Sequence, residues 1–302
     1  MKLKNVLTLS FGLQLICGQV SYPGMRSWFH PQSMAMAGGG NSISSMESDR
    51  LNPAALNSKG RVFSVSMIRY PGEISAESSS LILPRESKML SINLRHIGYG
   101  IFEGKDSNNE PVQNYSSSDT WLSMSSSSSD TNKIYTFGWN SGVFISNLDN
   151  YQSIIITGGL GLLITLPNDI GKFSLSVQNM GLPIQKYTGA DEPPPVWIAA
   201  GGSKKLAYLP LELAVDAVYF PGGKSTRIHI SGLASLPYHF KLRIGSSTVK
   251  FDQQTSYSIA RDVLSDTGVG LSYTDGEYAF DIGMYMYGNG GWASGLGFGI
   301  KF

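Results

Sequence analysis

The sequence predicts an all-β fold: a closed antiparallel transmembrane β-barrel of about 14 strands, with an N-terminal segment plugging its lumen. Three observations lead there. Only 15% of the 302 residues are charged, against about 25% in ordinary soluble domains. Mean hydropathy is nonetheless −0.06, because Ser, Asn, Thr and 35 Gly take the place of charge. No apolar run approaches the ~20 residues of a spanning helix, whereas apolar residues recur at every second position in segment after segment, as in strands with one apolar face.

At the N-terminus, Lys2 and Lys4 precede the apolar stretch Val6–Ile16, then Cys17-Gly18-Gln19. A basic start, a short apolar run and a small residue read as a cleaved secretory signal peptide over residues 1–18. Ile16 stands where a lipoprotein cysteine expects a small residue, which argues against lipidation of Cys17. Cys17 is the sole cysteine, so the exported chain can hold neither disulfides nor a thiolate metal site. Export without disulfides fits a bacterial envelope.

Residues 19–57 show no clean period. They carry Ser33-Met34-Ala35-Met36-Ala37-Gly38-Gly39-Gly40 and Asn52-Pro53-Ala54-Ala55-Leu56. Small residues allow close backbone packing, and Pro53 suits the first turn of a short helix. This segment is expected to be irregular, with one or two short helices.

From residue 58 to 302 the pattern is strand, turn, strand. Fourteen candidates are 61–70, 74–83, 88–97, 115–126, 132–147, 151–166, 170–179, 195–208, 210–220, 225–235, 238–249, 267–274, 277–287 and 291–302. In the third, Leu90, Ile92 and Leu94 alternate with Ser91, Asn93 and Arg95. In the fifth, Tyr135, Phe137 and Trp139 alternate with Thr136, Gly138 and Asn140. In the last, Trp292, Leu296, Phe298, Ile300 and Phe302 share a face. Turn signals such as Pro71-Gly72, Asn168-Asp169, Asp275-Gly276 and Asn289-Gly290 separate them. The polar stretches 103–114 and 181–194 are expected to be longer connections, the second a stiff exposed loop holding Asp191-Glu192 and prolines.

Short strands could equally build a soluble sandwich. Strands of ~10 residues, an even count and aromatics near strand ends (Tyr70, Tyr99, Trp139, Tyr151, Trp197, Tyr208, Tyr219, Tyr287, Trp292) favour a barrel with interfacial girdles. A sheet in lipid must close to satisfy its backbone, and a barrel of this size is too wide for its own side chains to fill. The N-terminal segment is the candidate filler. Polar strand faces should line the lumen, with Ser91, Asn93, Arg95, Thr136, Asn140 and Asp281 as candidates. A charge facing lipid at mid-bilayer costs about 2–4 kcal/mol, so Arg95 and Asp281 should point inward and hold the plug or gate a ligand.

Taken together, these residues resemble the FadL superfamily of outer-membrane barrels. The resemblance lies in the Ala/Gly-rich run 33–40 leading to the Asn52-Pro53-Ala54 box. Within it the chain is most similar to the PorV/PorQ family, on Gly98-Tyr99-Gly100-Ile101-Phe102, Tyr115-Ser116-Ser117-Ser118-Asp119, Leu148-Asp149-Asn150-Tyr151, Val177-Gln178-Asn179-Met180-Gly181, Leu209-Pro210-Leu211-Glu212-Leu213 and Leu242-Arg243-Ile244-Gly245. The resemblance implies a bacterial outer-membrane location in contact with its lipid, and a non-enzymatic role. For PorV/PorQ that role is assistance of type IX protein secretion or surface attachment, with secretion components or cargo as partners. For FadL it is passive transport of fatty acids or other hydrophobic small molecules. Gly38, Gly39, Gly40, Asn52, Pro53 and Ala54 become plug or ligand-gating candidates. A terminal strand closing on Phe298, Ile300 and Phe302 resembles the signal read by the outer-membrane barrel assembly machinery.

Other chemistry finds no foothold. The Gly38–Gly40 run lacks a following Lys-Ser/Thr at phosphate-loop spacing. Gly295, Gly297 and Gly299 lack dinucleotide spacing and more plausibly let the plug approach the wall. His30, His96, His229 and His239 are scattered, so no metal site is expected. There is no Gly-x-Ser-x-Gly elbow, so no catalytic residue is named and no cofactor is expected. With 23 Lys+Arg against 22 Asp+Glu, nothing suggests a strong basic field for nucleic acid.

Overall fold

The computed structural model describes residues 22–105, 108–189, 192–253 and 259–302. The expected leader, residues 1–18, lies outside them, as does Asp191. The described residues form a barrel of fourteen antiparallel strands: β1 (Val62–Arg69), β2 (Ser75–Arg85), β3 (Lys88–Lys105), β4 (Pro111–Ser129), β5 (Tyr135–Leu148), β6 (Tyr151–Thr165), β7 (Gly171–Gln185), β8 (Trp197–Lys205), β9 (Leu211–Phe220), β10 (Ser225–Ser235), β11 (Phe240–Ser247), β12 (Thr267–Asp275), β13 (Tyr278–Met286) and β14 (Trp292–Lys301). Each strand pairs with its sequence neighbours, and β1 pairs with β14 from Val62↔Lys301 to Arg69↔Ser294, closing the ring. Closure leaves no strand edge unpaired, the condition for a sheet in hydrocarbon.

The apolar faces point outward. Phe63, Val65 and Met67 on β1, Ile92 and Leu94 on β3, Phe137 and Trp139 on β5 and Phe280, Ile282 and Met284 on β13 are all well exposed. Their alternating partners Ser64, Ser66, Ser91, Asn93, Thr136 and Asp281 are buried. A soluble sandwich would invert this arrangement. The connections at the end holding both chain termini of the barrel are short, as at 86–87 and 276–277, whereas the longest, 186–196 and 248–266, lie at the opposite end. Short periplasmic turns and longer outer loops identify the latter as the extracellular end.

Three expectations need correction. The stretch 103–114 is mostly strand: β3 runs on to Lys105 and β4 starts at Pro111, through register shifts after Gly98 and Phe102. Stacking of Phe102 on Tyr115, with ring centroids 5.3 Å apart, supports this extended hairpin. Similarly, β7 continues to Gln185 past a register shift where Asn179 adopts a φ of 58°, so the second long connection begins only at residue 186. Finally, Tyr70, Tyr99, Trp197 and Tyr287 are not girdle residues. They face the lumen, where Trp197 is buried and Tyr70 bonds the backbone of Trp28. A girdle residue needs outward parity as well as a place near a strand end.

Residues 22–57 fill the lumen with short turns: a 3-10 turn at Pro23–Arg26, α1 (Pro31–Ala35), α2 (Ser48–Leu51) and a 3-10 turn at Pro53–Ala55. Most of this segment is buried. On the β11–β14 side the wall gives way to it by glycine. A Cβ on Gly245 would lie 2.2 Å from the Met36 carbonyl oxygen, one on Gly268 2.3 Å from that of Met34, and one on Gly297 3.0 Å from His30 Nε2.

Candidate functional site

The plug and the wall facing it make the candidate site. Pro31 opens α1, and the His30 ring caps it by accepting the Gln32 N–H through Nδ1 at 3.3 Å. The helix stops where Ala37, Gly38 and Gly40 take positive φ of 50°, 75° and 82°. Gly38 and Gly40 suit this backbone because they lack a Cβ, and Gly39 sits against His229 and Ser231 of β10. The turn aims two N–H groups at one acceptor: Gly40 and Asn41 donate to Asp216 Oδ2 at 2.7 and 3.2 Å.

Asn52 joins the ends of the plug. It is fully buried, accepts the Ala54 N–H at 3.0 Å and donates to the carbonyl of Asn41 at 3.2 Å. Pro53 is the first residue of the turn that follows, and Ala54 lies against Gly138 of β5, where a Cβ would stand 2.2 Å from the Ala54 nitrogen.

Of the luminal candidates, Arg95, Asn140 and Asp281 touch the plug. Arg95 Nη2 contacts both carboxylate oxygens of Asp49 at 2.7 Å, while its Nη1 donates to Ser123 at 3.1 Å. Asp281 accepts from Gln32 Nε2 at 2.9 Å and from the Ser272 hydroxyl, with Arg243 3.9 Å and His30 3.8 Å away. Burial holds the His30 imidazole below its ordinary pKa, against the opposing pull of Asp281 and Glu47. Ser91 and Asn93 are buried in the wall and bond each other at 2.6 Å. Asn140 donates to the Asp49 carbonyl at 2.6 Å, and Thr136 pairs with Ser129. Phe298, Ile300 and Phe302 lie apart from the lumen, at the terminal end of the outer wall. Phe298 packs on Phe280 there, and Phe302 is well exposed.

The space left open lies on the β8–β10 side, toward the extracellular end. A cavity of about 110 Å³ is lined by Arg26, Trp28, Leu51, Trp197, Ala199, Val218 and Phe220, with Arg50, Asp216, Arg227 and His229. A second, of about 270 Å³, adjoins it and shares Arg26, Trp28, Arg227 and His229. Burial, with Arg227 as a like-charged neighbour, lowers the pKa of Arg26. A separate polar cavity of about 570 Å³ opens at the other end, beside Ser42, Leu56, Ser127 and Thr136. Most residues of the extracellular cavity were not singled out by sequence. The signal that could have found Asp216 and Arg227 is parity: each is a charge at an inward position, Asp216 between exposed Val215 and Ala217 and Arg227 beside exposed Ile228. Among the described residues no group of three or more His, Cys, Asp and Glu is placed to hold a metal.

No protein-family model matches the chain, and no curated protein matches it. Solved structures do. The crystal structure of the Pseudomonas putida toluene transporter TodX is similar over 91% of this chain and 98% of its own, with a TM-score of 0.60 at 10% identity. The ΔS2S3 mutant of TodX, a monoaromatic hydrocarbon channel, matches over 91% of this chain and 99% of its own, with a TM-score of 0.63 at 14% identity. The chain is a bacterial outer-membrane β-barrel. At these identities the likeness concerns the fold alone, a closed β-barrel.

Proposed function

We propose that the protein is a non-enzymatic, passive outer-membrane channel of FadL-like kind for fatty acids or other hydrophobic small molecules. The observation that supports this most is the extracellular-side cavity between plug and wall, whose lining of Trp28, Leu51, Trp197, Ala199, Val218 and Phe220 is chiefly apolar. Ligand sites are commonly such concave, apolar spaces with a few placed polar groups. The role of TodX, a monoaromatic hydrocarbon channel, agrees with the reading. Cells producing the protein should take up toluene faster than cells lacking it. Ala199→Trp, which fills the cavity, should abolish the gain while heat-modifiable gel mobility shows the barrel folded. Equal uptake with and without the protein would refute the channel.

The secretion role implied by the PorV/PorQ resemblance rests on the ordered sequence stretches alone. Of the outer connections, 186–196 and 248–266 are long, whereas 70–74, 106–110, 149–150, 221–224 and 287–291 are short, which limits the surface for gripping cargo. Co-purification with type IX secretion components would favour that role, and normal cargo display in a deletion strain would oppose it. The outward row Phe298, Ile300 and Phe302 fits a signal for the barrel assembly machinery. Truncating Phe302 should then slow assembly in cells more than refolding in detergent.

A further inference from the structure

The extracellular cavity is not uniformly apolar. Arg26 of the plug and Arg227 of β10 both lie over the ring of Phe220, with guanidinium carbons 4.5 and 5.0 Å from its centroid. Two like charges have thus been brought together over one ring. Among the described residues neither is within ion-pair distance of a carboxylate. The Nε of Arg26 is buried and has no hydrogen-bond partner. Arg50, the third arginine of the lining, is already neutralised by Glu47 at 3.5 Å.

The acids of the lining are held by donors other than these two arginines. Asp216 accepts the N–H groups of Gly40 and Asn41 through Oδ2, leaving its buried Oδ1 without a hydrogen-bond partner, and Asp266 accepts the Ser247 N–H and the Tyr285 hydroxyl. Neither carboxylate can turn to the two arginines without abandoning backbone donors in a buried place, which costs about 1–3 kcal/mol per unmet group. The cavity therefore combines aromatic walls with guanidinium donors whose charge the protein does not itself offset. A planar guanidinium matches a carboxylate in two-point geometry. The cavity of about 110 Å³ is of the order of a single ring, since a dry cavity of about 150 Å³ holds benzene. An extended acyl chain would have to run on past the same two arginines into the adjoining space of about 270 Å³.

We infer that the cavity over Phe220 is a binding site for a ring-sized organic carboxylate, held by Arg26 and Arg227 with its ring among Trp28, Trp197 and Phe220. This rests on the channel reading above and narrows its substrate class. The anion lowers the repulsion between the two arginines, and its ring replaces the apolar contacts that water cannot make. Neutral hydrocarbons use the walls alone and bind more weakly.

The test is binding to the purified barrel in detergent, followed by quenching of the fluorescence of Trp28 and Trp197, with benzoate, octanoate and toluene as probes. Benzoate should bind at least tenfold more tightly than toluene and more tightly than octanoate. Added salt should weaken benzoate selectively, because the attraction is ionic. In Arg26→Gln and Arg227→Gln, the ratio of benzoate to toluene affinity should fall about tenfold or more, as expected for loss of a charge-assisted bond. Arg227→Lys, which keeps the charge, should recover part of it. Benzoate binding no tighter than toluene, or a ratio unmoved by both Gln variants, overturns the carboxylate site and leaves the channel standing. Octanoate binding tighter than benzoate overturns the ring-sized body. If none of the three binds, both the site and the channel reading fall.

Discussion

The plug meets the barrel in two different ways. Toward β11–β14 it lies against bare backbone, where Gly245, Gly268 and Gly297 leave room for Met36, Met34 and His30 and for nothing more. Toward β8–β10 the wall carries Trp197, Val218, Phe220 and Arg227, and open space remains between their side chains and the plug. Close backbone contact fixes the plug, while large side chains hold it at a distance and shape a cavity. One small segment is thereby both anchored and skirted by open space, and the arrangement follows from which inward positions are glycine.

The largest effect should come from breaking an anchor. Arg95→Ala strands the buried Asp49 carboxylate and should cost about 3–5 kcal/mol, read as a lower denaturant midpoint for the detergent-folded barrel. Adding Asp49→Asn should restore part of the loss. Overfilling the close side comes next. Gly268→Ala places a Cβ 2.3 Å from the Met34 carbonyl oxygen and should destabilise by about 1–3 kcal/mol. The same change at Gly222, with nothing within 4 Å, serves as the control and should be close to silent. Asp216→Ala, which removes the acceptor of the Gly40 and Asn41 N–H groups, should cost about 1–3 kcal/mol and raise hydrogen exchange at those two amides. The smallest effect concerns pH. Burial lowers the pKa of His30, so the unfolded chain takes up the proton first. Stability tied to neutral His30 is complete above the ordinary imidazole range near ~6.5 and is lost as pH falls below it. His30→Gln should flatten the stability curve on the acid side of neutrality.

Much of the barrel could be read from the chain because lipid imposes a rule that acts residue by residue. Outward positions must be apolar, so Ile92 and Leu94, or Phe280 and Ile282, announce strand, parity and face at once. The mid-strand charges Arg95 and Asp281 could be turned inward by the same argument. The lumen obeys no such rule. Whether Trp197 ends a girdle or lines a cavity depends on its parity, and whether Asp216 or Asn93 touches the plug depends on where the plug backbone passes. The Gly38–Gly40 run signalled close packing, but the acceptor of the Gly40 N–H, Asp216, lies 176 residues further along the chain. The extended β3–β4 hairpin was hidden because Glu103, Lys105 and Asn114 are polar. Beyond the membrane, strand pairing no longer requires an apolar face.

The claim that hydrophobic molecules enter the space between plug and β8–β10 can be tested by crystals of the protein grown with bromobenzene, located by the anomalous signal of its bromine. The account predicts a peak in the cavity bounded by Trp28, Trp197 and Phe220. Bromine found only on the outer wall, in the lipid-facing groove beside Val65, Met67, Leu296 and Phe298, would contradict it.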